Sequence, residues 1–425
     1  MKCIIYVSLL LIFALQIHCY PKDPEDHSFQ DGDGHEISHE VPSITNYQKI
    51  APNNADFATR LYKEIITNST AENVFLSPLS ISTAFALLCL GAKAETHSQI
   101  YKGLTFNLTE IKEMEIQNGF RQVIEVLNRP GNKAKVNIGN ALFINESLKV
   151  LPKFLDDVKT LYAAEGFSVN FKNSTIAKDK INNYVQNKTH GKIDNALDDL
   201  DENAVMVILN YIFFQGYWKN PFHAYMTKEE DFFVNGSTTV KVNMMFQEAY
   251  FQVLRDEDLS CWVVKMPYKG KASAWFILPD EGKMNDVEKQ LQKEILTKWM
   301  TSVRNRKIKL FLPKLSIHTS YDLIPLMNKL GVKDVFGPNA DLSGITGGGN
   351  LWVSQATHKA ALDVHETGTE AAGVAVIVTL PGSYFMPSPP PPIIRYDHPF
   401  LMFITDDQST AMTFLGKIGN PKSKI

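Results

Sequence analysis

Cysteine is scarce: four residues in 425, of which Cys3 and Cys19 fall within the first nineteen positions. That is too few for a disulfide framework, so a chain of this length must depend on its core. The other two, Cys89 in LLCLGA and Cys261 in LSCWVV, sit in apolar surroundings. Two buried free thiols fit that pattern best, and a single bridge between them fits it also. Excess positive charge is missing too. With 43 basic against 46 acidic residues the formal charge is -3, which leaves nothing to hold a phosphate backbone and excludes nucleic acid as an expected partner.

The apolar run Ile4 to Ile17 is too short to make a good membrane span. Gly-x-Ser-x-Gly, a Walker loop, a paired-glycine nucleotide fingerprint and Cys-x-x-Cys are all absent, so no enzyme active site and no cofactor is expected. His35-Glu36-Ile37-Ser38-His39 does match H-E-x-x-H, but it follows DGDG, where glycine opposes the helix that zinc chemistry needs. It reads as hydrophilic tail. Gly347-Gly348-Gly349 reads as a loose surface turn.

Lys2, the apolar run and then HCYPKDPEDH have the form of a secretory signal peptide over residues 1–19, with cleavage expected after Cys19. Residues 20–50 are rich in Asp, Glu, His and Gly and read as a flexible acidic tail. No linker or repeat divides 51–425, which is taken as one domain with order beginning near Asn54. A secreted chain could use its six Asn-x-Ser/Thr acceptors, Asn68, Asn107, Asn145, Asn173, Asn187 and Asn235, and some are expected to stay empty.

SPLSISTAFALLCLGA carries a Ser cap and a first-turn Pro and is apolar nearly all round, which predicts a core helix. Helices are also expected at 110–127, 152–164, 175–187, 202–205 and 284–301, and most of the remainder alternates like strands. Helices come mostly first and strands mostly later, so the class is α+β. His358, in an alternating strand, reads on its own as a satisfied core histidine, and Trp218 as a packing residue.

Taken together, the second helix, NYIFFQGYW, FILPDEGK, LFLPKLSI, HKAALDVHETGTEAAG and the ending HPFLMFI…FLGKIGNP resemble the serpin family, close to its antitrypsin-like members, over residues 50 to 425. The resemblance implies a serpin fold of three β-sheets and about nine helices, and a monomer. It also implies an exposed reactive loop, about 366–395, that acts as bait for a serine protease. Glu366, Gly368, Thr369, Glu370, Ala371, Ala372 and Gly373 would form the loop's hinge. Ser77, Ser80, Asn210 and His358 would form a polar cluster beneath the central sheet, with Trp218 at the top of the opening. His358 thereby changes from a solitary residue to a member of a network.

In GTEAAGVAVIV, period two places Thr369, Ala371, Gly373, Ala375, Ile377 and Thr379 on one uncharged face, the first four small. Such a run suits a segment that enters a sheet after having been outside it. The spacing usual in the family puts the scissile bond at Gly382-Ser383. Glycine suits at most a small elastase-like pocket, while Leu380, Tyr384, Phe385 and Met386 are alternative sites pointing to a chymotrypsin-like protease. No basic residue lies between Glu366 and Arg395, which argues against trypsin-like targets. Helix 110–127 offers few basic residues, Lys112 and Arg121, so heparin is not expected. The rival expectation is a serpin that carries a hormone or small ligand and does not inhibit.

Overall fold

A computed structural model describes residues 45–68, 73–129, 134–368 and 389–423. Five strands form the central sheet in the order Leu315–Asp322, Gln355–Val364, Met206–Gly216, Ala134–Asn145, Glu165–Val169. Its middle strand, MVILNYIFFQG, is buried at nine of its first nine positions, as a strand covered on both faces must be. Toward one face point Ile208, Ile212 and Phe214, which belong to the main core. Toward the other point Val207, Leu209 and Tyr211, packed under Ala177, Ile181 and Val185 of the Ser174–Lys188 helix.

A second, nine-stranded sheet runs Asn73–Leu76, Met412–Ile418, Phe400–Asp406, Ala272–Pro279, Cys261–Pro267, Thr239–Asp256, Arg304–Pro313, Ile393–Arg395, with Lys228–Phe233 paired on Thr239–Asp256. Two of the three expected sheets are thus continuous, because the long Thr239–Asp256 strand takes part in both. Between the layers lies the Pro78–Leu88 helix, every residue of it buried. Its Ser77 cap and first-turn proline are those anticipated. Cys89 and Cys261 are buried free thiols, with no bridge between them. Burial pushes the Cys261 thiol up to about 12 and the Cys89 thiol well above its ordinary value, so both behave as apolar packing groups.

Several expectations need correction. The first helix spans Asn46–Asn68 and so begins eight residues before Asn54. Residues 202–205 are not a helix: Asp201 accepts from the Asn203 N–H at 2.8 Å and from the Ala204 N–H at 3.0 Å, a local turn that competes with helix. The span 284–301 holds two helices, Met284–Gln290 and Lys293–Ser302, parted where Leu291 turns extended to bury its side chain. Among the described residues no helix is long and apolar enough to cross a membrane, and no cluster of three metal-ligating side chains occurs. His35 and His39 lie outside the described residues.

Candidate functional site: a parallel seam and the turn above it

The central sheet is joined at its middle by a parallel pair. Gln355–Val364 runs alongside Met206–Gly216, with His358 directly opposite Asn210. The flanking strands Leu315–Asp322 and Ala134–Asn145 are antiparallel to this pair. A strand inserted into the seam in the opposite direction would make two antiparallel pairings in place of one parallel pairing.

Beneath the seam, the sequence-predicted polar residues are brought together. The buried His358 ring accepts the Ser77 N–H at Nε2 (3.1 Å), which leaves the proton on Nδ1, and this donates to Asn210 Oδ1 at 2.5 Å. Burial drives the imidazole down to about 3, so it is neutral at ordinary pH, as that pattern requires. Asn210 Nδ2 spends its two hydrogens on Ser80 O (2.9 Å) and Asn140 Oδ1 (2.6 Å). Ser77 Oγ accepts from the Ser80 N–H at 3.2 Å, while the Ser80 hydroxyl is buried without a partner in the structure. Asn140, on the next strand and opposite Asn210, was not anticipated from sequence. A lone Asn in an alternating strand carries no signal until its register is known.

At the top of the seam the chain reverses over His365–Gly368. His365 and Gly368 exchange backbone hydrogen bonds at 2.7 and 3.1 Å, and Gly368 forms an antiparallel bridge to Tyr217. Gly368 has φ +130°, and a Cβ there would stand 2.2 Å from Gly216 O, so the position admits only glycine. Trp218, fully buried, stacks on Tyr268 at 4.2 Å. It donates its Nε1–H to His365 O (3.0 Å) and its N–H to Thr367 O (2.9 Å). Glu366 is held by Lys314 at 3.0 Å and by the Thr227 hydroxyl at 2.9 Å. Burial works against ionisation, but the Glu366 N–H, Lys314 and Thr227 together keep its carboxyl below the usual range.

The described chain re-enters at Pro389 and reaches Ile393–Arg395, paired parallel to Arg304–Pro313. There the Arg395 guanidinium lies 3.7 Å over the Phe311 ring and is bonded to Glu230. Thr369, Glu370, Ala371, Ala372, Gly373, Gly382 and Ser383 lie outside the described residues. Of the six glycosylation acceptors, Asn68 closes the first helix, Asn107, Asn173, Asn187 and Asn235 are exposed, and Asn145 is half-buried.

Comparison with known proteins places the whole chain. The family model described as "Serpin (serine protease inhibitor)" matches residues 52–421. An alpha-1-antiproteinase of Callosciurus caniceps is 46% identical over 392 residues, 92% of this chain and 93% of that one. Alpha-1-antitrypsin of Sus scrofa is 44% identical over 400 residues, 94% of each chain. Human thyroxine-binding globulin, solved in complex with thyroxine, superposes with a TM-score of 0.84 at 40% identity, covering 89% of this chain and all of that one. The chain belongs to the serpin family.

Proposed function

We propose that this protein is a secreted serine protease inhibitor whose segment 369–388 is bait and then spring. Its relatives named antiproteinase and antitrypsin support a serine protease as partner. The observation that carries the reading is the register of the His365–Gly368 turn. Gly368 is bridged antiparallel to both Tyr217 and His365, the upper ends of the two seam strands. Continued downward residue by residue on insertion, those two bridges would bring Ala375 opposite His358 and Asn210 at once. Thr369, Ala371, Gly373, Ala375 and Ile377 then share the face of Val364, Leu362, Ala360, His358 and Ala356, toward the core. Glu370 takes the outward face beside Asp363.

About ten residues gaining pairing on both sides, at ~1 kcal/mol per hydrogen bond, with a few apolar side chains buried at about 1.5–3 kcal/mol each, sum to roughly 10–20 kcal/mol before chain entropy. That rivals the stability of a whole domain, so the uncut form is held kinetically. Serpin loop insertion is a recognised instance of strand addition driven by stored strain.

In the reaction, the protease's serine hydroxyl attacks the Gly382 carbonyl, the Gly382–Ser383 bond breaks, and the new amine at Ser383 leaves. The front half of the loop then enters the seam with the acylated protease attached, and ester hydrolysis stalls. An elastase-like or chymotrypsin-like protease fits the loop's small and aromatic residues. No enzymatic turnover by this chain is involved.

Incubation with elastase, chymotrypsin and trypsin tests the reading. An SDS-stable complex with one of the first two, releasing a peptide that begins at Ser383, and a rise of tens of degrees in Tm on cleavage are expected. The second reading, a ligand carrier, draws on the likeness to thyroxine-binding globulin and on the unusual bait glycine. It gains if no complex forms and the nicked chain melts no higher than the intact one.

A further inference from the structure

The hairpin between Lys228–Phe233 and Thr239–Asp256 leaves Phe233 50% exposed beside a cleft of about 900 Å³. Asn235 lines the same cleft, along with Pro279, Met284, Pro399 and, at the rim, Glu281. Burial still alternates here: Phe232 and Val234 are buried while Phe233 and Asn235 are exposed, so the aromatic ring and the acceptor asparagine share one face. Asn235 Oδ1 accepts from the Ser237 N–H (2.9 Å), the Ser237 hydroxyl (3.0 Å) and the Thr238 N–H (2.9 Å). This Asx turn occupies the oxygen, and Nδ2 makes no hydrogen bond among the described residues.

Asn107 and Asn145 make the same turn through Oδ1, accepting from Thr109 and Ser147, but their Nδ2 groups are engaged. Asn107 Nδ2 donates to Glu110 at 2.7 Å, and Asn145 Nδ2 to Ala204 O at 3.4 Å. At Asn187 the sequon's own Thr189 hydroxyl is buried and committed to Val185 O at 2.8 Å.

We propose that Asn235 carries an N-glycan and that the cleft is the docking site of its first N-acetylglucosamine residues. In the modification, Asn235 Nδ2 attacks the anomeric carbon of a lipid-pyrophosphate-linked oligosaccharide. The C1–N bond forms, the C1–O bond to pyrophosphate breaks, nitrogen loses a proton, and the lipid pyrophosphate leaves with the bonding electrons. The apolar C–H face of the sugar covers Phe233 and the neighbouring proline and methionine, while its hydroxyls and acetamido group reach Glu281 and solvent. An exposed phenylalanine next to an open cleft of mixed polarity is thus covered by the chain's own glycan. The proposal requires passage through a secretory compartment and is independent of the inhibitor reading.

The test is glycopeptide mass spectrometry on the full chain secreted from mammalian cells, together with a double-variant cycle in Tm. The Asn235 peptide is expected to be largely modified. Asn235→Gln should lower Tm by about 2 °C in the parent and by nearly nothing in a Phe233→Ser background. An unmodified Asn235 overturns the proposal, whether or not other acceptors are filled. An equal Tm loss in both backgrounds overturns the docking.

Discussion

Across the parallel seam, His358 donates its Nδ1–H to Asn210 at 2.5 Å, and the two residues are each other's register partners. Because the Ser77 N–H already points at Nε2, protonating the ring would set two donors against each other in a buried site. Burial, with this donor arrangement, lets the folded protein bind the proton only near pH 3, whereas the unfolded chain binds it near 6.5. In that window the unfolded state holds more protons, so stability falls as pH falls, by up to about 1.4 kcal/mol per unit. Denaturant midpoints measured from pH 7 to 4 should show this slope, and His358→Asn should flatten it.

Replacing Gly368 by alanine puts a methyl group against Gly216 O in a backbone conformation that L-residues rarely adopt. A destabilisation of about 2 kcal/mol is expected at the turn. The variant should melt lower, as the turn's attachment above the seam loosens. Unchanged melting would mean that the turn is not under this constraint.

The proposed register separates the two faces of the inserting segment. Ala371→Arg places a charge toward the core beside Leu362, whereas Glu370→Arg places one outward, beside Asp363. Ala371→Arg is expected to turn the inhibitor into a substrate, with most molecules cleaved and few trapped. Glu370→Arg should change the number of inhibitors consumed per trapped protease by less than a factor of about two. Thr369→Arg, one step higher on the inward face, should behave like Ala371→Arg. Gel-based stoichiometry reads all three.

Glu366, tied to Lys314 and Thr227, anchors the turn from the side. Since its folded-state pKa is depressed, this contribution is present above about pH 4.3 and is lost as pH falls through the folded value. Lys314→Met should cost under about 1 kcal/mol at pH 7, the lysine being partly exposed, and less at pH 3. Thermal melts of the two proteins at both pH values check this.

Much of this was legible in the residues themselves. Ser77 and Pro78 announce a helix start, and the apolar run behind them announces a core helix. Period-two spacing after Gly368 announces a segment with one small, uncharged face. Elements without tertiary support were misread, as at 202–205, where an Asp turn competes with helix, and at Leu291, where burial breaks one.

Local chemistry, acting within a few residues of itself, decided which segments are helices and strands and which faces of them are apolar. Only the folded chain decided that residues 148 positions apart, Asn210 and His358, face each other, that Asn140 completes their network, and that Gly368 closes over Gly216. A strand's pattern states which face is buried but not which strand lies beside it or at what register. Those follow from packing the two sheets around one helix.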